Sequence, residues 1–232
     1  MSNMTKSLGE KVSEQIILLI KENDWQVGDK LPNEYELAQK LNVGRSTIRE
    51  AIKTLTSRNI LQVKQGAGTF ISEKCGISDD PLGLTFIKDR LKLAQDLLEV
   101  RFMIEPKIAS LAAINATEEE IGHIEDLCNK TEELLLKGEP HMEFDIKFHG
   151  AIAKSSKNLV TANLIPIINK SIDVFINLTN YNLRIETMET HREILNAIKR
   201  RDSIGAYDAM YLHLVYNRRN INMIVEKSKE NI

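Results

Sequence analysis

Residues 28–72, GDKLPNEYELAQKLNVGRSTIREAIKTLTSRNILQVKQGAGTFIS, constrain the fold more than any other stretch of the chain. Asn33 with Glu36 three residues on forms a capping-box pattern, which opens a helix over about 34–41 with Leu37, Ala38 and Leu41 on its inner face. Asn42-Val43-Gly44 supplies a tight turn, and a second helix follows over about 45–58 with Ile48, Ala51, Ile52 and Leu55 turned inward. Two short strands, 61–65 and 69–72, then flank Gly66-Ala67-Gly68 as a ribbon. Upstream, residues 8–23 put Val12, Ile16, Leu19 and Ile20 on one stripe before a turn through Trp25, Gly28 and Pro32.

Three short helices closed by a glycine-rich ribbon predict a winged helix-turn-helix, a fold that presents one helix to a DNA groove. The start of the helix over 45–58 carries Arg45, Ser46, Thr47 and Arg49. A helix N-terminus offers free N–H groups and positive potential to phosphate. Arginine can bond guanine bidentately in the major groove, and hydroxyls can hold phosphates or base edges. Arg45 and Arg49 are therefore the expected base readers, with Ser46 and Thr47 as positioners. Gly66 and Gly68 let the wing tip approach the sugar-phosphate backbone, with Lys64 and Gln65 as wing contacts. Any one of these residues alone reads as ordinary solvated surface; the ordered set points to DNA.

The charge balance fits this layout. The net charge of the 232 residues is −2, yet residues 1–74 hold 11 Lys/Arg against 9 Asp/Glu and the remainder hold 20 against 24. A mildly basic head on an acidic body suits a small DNA reader joined to a sensing domain. Two cysteines, Cys75 and Cys128, exclude a disulfide framework and a cysteine-rich zinc site. The N-terminus has no signal-peptide pattern, and the run 16–20 is too short to span a bilayer. A cytoplasmic protein without membrane contact is expected.

Past residue 74 the pattern breaks through Asp79-Asp80-Pro81, so 75–83 reads as a linker between a winged domain at 1–74 and a second domain at 84–232. There the period becomes helical throughout. Helices are expected over about 84–92, 94–114, 117–136, 140–155, 158–180, 184–200 and 202–228, with Thr117/Glu120 as a capping box and Gly138 as a C-terminal stop. The fold class is mainly α: a winged helix-turn-helix followed by an all-helical antiparallel bundle.

Five histidines are present. His123 and His141 have polar neighbours and are expected to face solvent. Asp145 and His149 lie four apart on one helix face. His191 sits on the stripe of Ile194, Leu195 and Ile198, and His213 on that of Ala206, Ala209, Met210 and Asn217. Imidazole and carboxylate projecting into a bundle suit a divalent metal, whereas a single inward histidine is more often a hydrogen-bonded core residue.

The N-terminal segment resembles the DNA-binding domain of GntR-superfamily bacterial repressors. The shared residues are Gly28, Leu31-Pro32, Glu34, Glu36-Leu37-Ala38, Leu41, Val43, Arg45, Thr47, Arg49-Glu50-Ala51, Leu55 and Gly68-Thr69-Phe70. The resemblance implies DNA contacts at Arg45, Thr47, Arg49 and Gly66. It departs at Tyr35, where the family often has Arg, and at Gly44, where Ser or Thr is common. Residues 84–228 resemble the FadR C-terminal (FCD) domain through Asp96-Leu97-Leu98-Glu99-Val100-Arg101, Glu105-Pro106, Ala112-Ala113, Asp145 with Phe148-His149, His191 with Ile194-Leu195, and Met210 with His213-Leu214. That resemblance implies a metal held by Asp145, His149, His191 and His213, and an effector carboxylate met by Arg101. A structural ion pair of Arg101 with Glu99 or Glu105 is the plainer alternative.

The expected function is a homodimeric transcription regulator, a repressor, whose affinity for operator DNA is set by a small organic acid at or near a divalent metal. Zn²⁺ is the expected occupant, with Ni²⁺, Mn²⁺ and Fe²⁺ as alternatives. Two other readings stand beside it. One is a metal-dependent hydrolase with an incidental basic head, against which counts the lack of any Glu marked as general base. The other is a regulator whose metal is structural or is itself the signal.

Overall fold

The computed structural model describes residues 6–74, 76, 78, 80, 82–179 and 184–230. Its contacts divide the chain into two units, Met1–Pro81 and Leu82–Ile232. Of the expected linker 75–83, Cys75, Ile77, Asp79 and Pro81 lie outside the described residues.

In the first unit, α1 (Leu8–Glu22) starts at a Ser7/Glu10 capping box, and α2 (Glu34–Leu41) starts at an Asn33/Glu36 one. Asn42 ends α2 in the left-handed region at φ 51°, and two residues later α3 (Arg45–Ser57) begins. Strands β1 (Leu61–Lys64) and β2 (Gly68–Ile71) pair antiparallel with Leu61 opposite Ile71 and Lys64 opposite Gly68. β1 ends one residue before the expected 65, because the tip turn takes in Gln65, and β2 lies one residue earlier than the expected 69–72, because Gly68 pairs with Lys64. Val12, Ile16, Leu37, Ile48, Leu55 and Leu61 are buried together, so three amphipathic helices and the inner face of the ribbon close one core.

The second unit is built from α4 (Arg90–Asn115), α5 (Glu118–Lys137), α6 (Met142–Ser155), α7 (Leu159–Thr179), α8 (Arg184–Lys199) and α9 (Ser203–Glu230). Helix α4 packs along α9, which also packs on α8. The expected helix over 84–92 is not formed as such. A single 3-10 turn occupies Leu84–Phe86, and α4 starts at Arg90, where the Asp89 side chain accepts from Lys92 N at 3.0 Å. From there α4 runs unbroken past the expected gap at 93. It buries residues around most of its circumference and tolerates Pro106 in its interior, although proline cannot donate to the carbonyl one turn back.

Helix α7 is long and apolar enough, at a mean hydropathy of 1.4 over residues 159–178, to cross a membrane by length and composition. It packs instead on α6 and α4, with Ile168, Ile172, Val174 and Ile176 in the bundle core. The sequence reading did not single it out.

Candidate metal centre and DNA-reading surface

Three helices each bring one histidine to the bundle interior. His149 comes from α6, His191 from α8 and His213 from α9, and each is buried. Their candidate ligand nitrogens lie within 4.8 Å of one another. Asp145, one turn before His149 on α6, places Oδ1 3.2 Å from His191 Nε2. The four residues singled out in the sequence thus converge on one point.

The polar atoms at that point are conspicuously unpaired. Asp145 Oδ1 and both ring nitrogens of His149 and of His191 are buried without a hydrogen bond. Each such atom costs about 1–3 kcal/mol when nothing compensates it. A cation bound among them would satisfy Oδ1 and one nitrogen per ring at once, so the residues present fit a divalent metal.

His213 differs because both its nitrogens are engaged. Thr190 Oγ1 lies 3.0 Å from Nδ1 and Asn217 Nδ2 lies 3.3 Å from Nε2. The Thr190 hydroxyl already donates to Glu186 O at 2.6 Å, so it accepts from Nδ1–H. That tautomer leaves the lone pair on Nε2, which accepts from Asn217 at 3.3 Å, a long bond that a metal would displace to use this nitrogen. Burial pushes His191 and His213 well below the usual imidazole range, and the neighbouring histidines and Arg101 act in the same direction. Both rings are neutral near pH 7, as ligation requires.

Behind His149 lies a buried carboxylate. Glu105 Oε2 approaches His149 Nδ1 to 2.7 Å. At that distance the carboxylate is an electrostatic partner of the ring, although Nδ1 makes no well-formed hydrogen bond. Arg101 donates to the same carboxylate through Nε and, at 3.3 Å, through Nη2. Burial alone would raise the Glu105 pKa; Arg101 and His149 outweigh it and hold the carboxyl far below its usual range. Arg101 is 1% exposed, so the residue expected to meet an effector is in this structure the partner of Glu105. Sequence reasoning named Glu105 only as that ion-pair alternative and did not see its approach to His149. Thr190 was missed as well, because a threonine on an apolar stripe carries no signal.

His141 corrects an expectation. It is 5% exposed rather than solvent-facing, because it stands at the start of α6 one turn before Asp145, and its carbonyl accepts from Asp145 N at 3.0 Å. It is close enough for its charge to bear on His191. His123 is exposed, as expected.

On the winged unit, Arg45, Ser46 and Arg49 are exposed at the head of α3 and Thr47 is half-buried. No side chain caps that helix, since its N-cap is Gly44; its first N–H groups are left to solvent or an anion. Arg49 is tied to Glu34 of α2 through Nη2 at 3.0 Å and Nε at 3.4 Å. This pair lowers the Glu34 pKa and raises that of Arg49. Two of the five guanidinium donors are thereby committed and three remain. Tyr35 is exposed, and its phenol oxygen accepts from Gln39 Nε2 at 2.8 Å. At the wing, Lys64 and Gln65 are exposed, and Gly66 takes φ 72° with open space where a side chain would stand.

Residues 8–71 match the model described as bacterial regulatory proteins, gntR family, and residues 96–216 match the FCD domain. The chain belongs to the GntR family of bacterial regulatory proteins, with an FCD domain behind the DNA-binding head. It is 32% identical over 223 residues to YcbG of Bacillus subtilis (strain 168), named as an HTH-type transcriptional regulator, covering 93% of this chain and 91% of that one. It is 31% identical over 229 residues to an Escherichia coli (strain K12) protein named for regulating an L-lactate dehydrogenase operon, covering 92% and 86%. Among solved structures, Streptococcus agalactiae GntR superposes with a TM-score of 0.81 at 44% identity, covering 91% of this chain and 99% of that one. The GntR/FCD protein described here is a DNA-binding transcriptional regulator and not an enzyme, which removes the hydrolase reading.

Proposed function

We propose that this regulator binds operator DNA as a cytoplasmic homodimer, in the manner of a repressor, and that its operator affinity is set by a small organic acid at a metal-containing site in the bundle. The observation that carries the proposal is the buried group of Asp145, His149, His191 and His213, whose nitrogens converge within 4.8 Å while most of them lack partners. These four residues would hold a divalent cation, with Zn²⁺ the expected occupant. When bound, the cation supplies a Lewis-acid point to which a carboxylate can attach.

The chain's own residues do the rest. Thr190 fixes the tautomer of His213. Phe148 stacks on His191 at 4.3 Å between ring centroids and holds that ring in place. Arg101, drawn onto Glu105, offers its remaining donors to an incoming carboxylate. The named role of the E. coli relative, regulation of an L-lactate dehydrogenase operon, favours a hydroxy-carboxylate among such acids. Helix α7 favours a dimer: its apolar run is only 31% buried within one chain, and Leu159 and Val160 are 89% and 65% exposed. A second copy covering that face would give a dimer with two DNA-reading heads, as a near-palindromic site requires.

The test has two stages. Elemental analysis after mild purification should return one divalent metal per chain, and the His191→Ala/His213→Ala variant should retain none. Operator binding titrated with lactate and other small mono- and dicarboxylates should then shift for wild type and not for Arg101→Ala. Metal-free wild type that takes up none on titration refutes the site; equal responses of wild type and Arg101→Ala refute the effector's use of it.

A further inference from the structure

The ribbon has a third edge that the winged-helix pattern did not reveal. Gly28 N donates to Ile71 O at 3.0 Å, Leu31 N to Thr69 O at 2.8 Å and Ile71 N to Asp29 O at 2.9 Å, with Lys30 bridged to Phe70. Residues 28–31 therefore lie alongside β2. Alternation then sorts the side chains. Leu31 and Leu61 are buried and Ile71 packs on the same core, so they line the inner face. Lys30, Phe70, Gly68, Gln62 and Lys64 share the outer one, where Lys64 Nζ stands 4.9 Å from the Phe70 ring centroid.

Gly68 explains where Lys30 goes. A Cβ at this position, φ +122°, would fall 2.7 Å from Lys30 Cε and 3.5 Å from Nζ. The lysine stem thus runs through the space the glycine leaves, and its ammonium ends beside Gly68, where β2 leaves the tip turn. Lys30 is exposed and makes no side-chain hydrogen bond or ion pair among the described residues.

We propose that Lys30 is a phosphate-contacting residue of the wing, brought to the DNA backbone together with Lys64 through the gap at Gly68. The inference rests on the reading that the wing tip approaches the duplex. A phosphate contact carries no sequence information, so the unidentified operator is not needed for the test. The full chain is titrated with a short mixed-sequence duplex over a range of salt, as wild type, Lys30→Met, Lys30→Arg and Lys64→Met.

Each lost phosphate contact lowers the slope of log affinity against log salt by about 0.9. Lys30→Met should show that drop, and the lead of wild type over it should shrink about 3.5-fold between about 50 mM and about 200 mM salt. Lys30→Arg should restore the slope, and thermal melting should be unchanged in all three variants. If Lys64→Met lowers the slope and Lys30→Met does not, the Lys30 assignment is overturned while the wing reading stands. If neither lowers it, the wing does not track the backbone and both fall.

Discussion

The Arg101–Glu105 pair offers the sharpest energetic test. Both side chains are 2% exposed, so neither charge has water to fall back on. Glu105→Leu would leave the Arg101 guanidinium buried without its counter-ion. Breaking a buried pair from one side costs about 3–5 kcal/mol, whereas replacing both partners by apolar groups of similar volume is near neutral or stabilising. Domains of this kind are stable by only about 5–15 kcal/mol, so the single change should remove about a fifth or more of the bundle's stability. The double variant Arg101→Met/Glu105→Leu should recover most of it. Urea unfolding in the presence of a chelator, followed by far-ultraviolet circular dichroism, reads the helical bundle. The fluorescence of Trp25, the only tryptophan and part of the winged unit, serves as the internal control and should keep its midpoint. A single-variant loss below about 1 kcal/mol, or a double variant that loses the sum of the two singles, would mean that Arg101 is not held by Glu105. Arg101 would then be free to serve the effector alone.

Two further outcomes follow from the site geometry. In metal-free protein His191 and His213 are held well below the usual imidazole value of 6.5 by burial, so the unfolded chain binds their protons first. Stability should be full above about pH 6.5 and fall below it by up to about 1.4 kcal/mol per pH unit per histidine. Glu105 adds nothing in that window, since its carboxyl is ionised in both states above the ordinary glutamate value of 4.5. Thermal melts on the two sides of pH 6.5 check this, and a profile unchanged in His191→Phe would contradict it. On the DNA side, Arg45→Ala should cost about 1–3 kcal/mol at the operator and flatten discrimination at one base position. Arg49→Ala should also weaken binding, and Glu34→Gln should alter base preference by releasing the Arg49 fork. Operator-variant titrations in which Glu34→Gln matches wild type would separate that ion pair from the reading of DNA.

The winged head was legible because its signals are local. Capping boxes at Asn33 and a left-handed Asn42 are written in adjacent residues, and the inner faces of α2 and α3 follow from period alone. The convergence of His149, His191 and His213 was legible for a related reason, since each lies on an apolar stripe and such stripes must meet in a bundle. What failed was information held between elements. Helix α4 is buried on several sides, so its apolar residues lose the period that would mark its start, and the expectation split it at 93. His141 has polar sequence neighbours, but its burial depends on helices far along the chain. The approach of Glu105 to His149 joins α4 to α6, and the bond of Thr190 to His213 joins α8 to α9. No spacing rule within a single helix encodes either contact.

The unpaired atoms at the histidine cluster bear on regulation as well as on metal affinity. A bundle that buries Asp145 Oδ1 and four imidazole nitrogens without a hydrogen bond, with only the Asp145 and Glu105 carboxylates close to those rings, carries a cost that any ligand completing the set relieves. Its stability then depends on ligand concentration as RT ln(1 + [L]/Kd). That gain alone regulates nothing, because a ligand bound equally well in the DNA-competent and DNA-free states shifts no population. A tenfold change in operator affinity requires about 1.4 kcal/mol of difference between the two states. If the effector uses this site as proposed, Arg101 would supply such a difference: its fork, now on Glu105, would be shared with the entering carboxylate, and Glu105 in turn lies against His149. Drawing the guanidinium toward an effector would loosen its hold on Glu105 and so alter the setting of His149 on α6, while His213 on α9 keeps its bond to Thr190 on α8. A ligand bound there would then change how α4 and α6 are held against α8 and α9, and by reciprocity operator DNA would have to change the affinity for that ligand by the same factor.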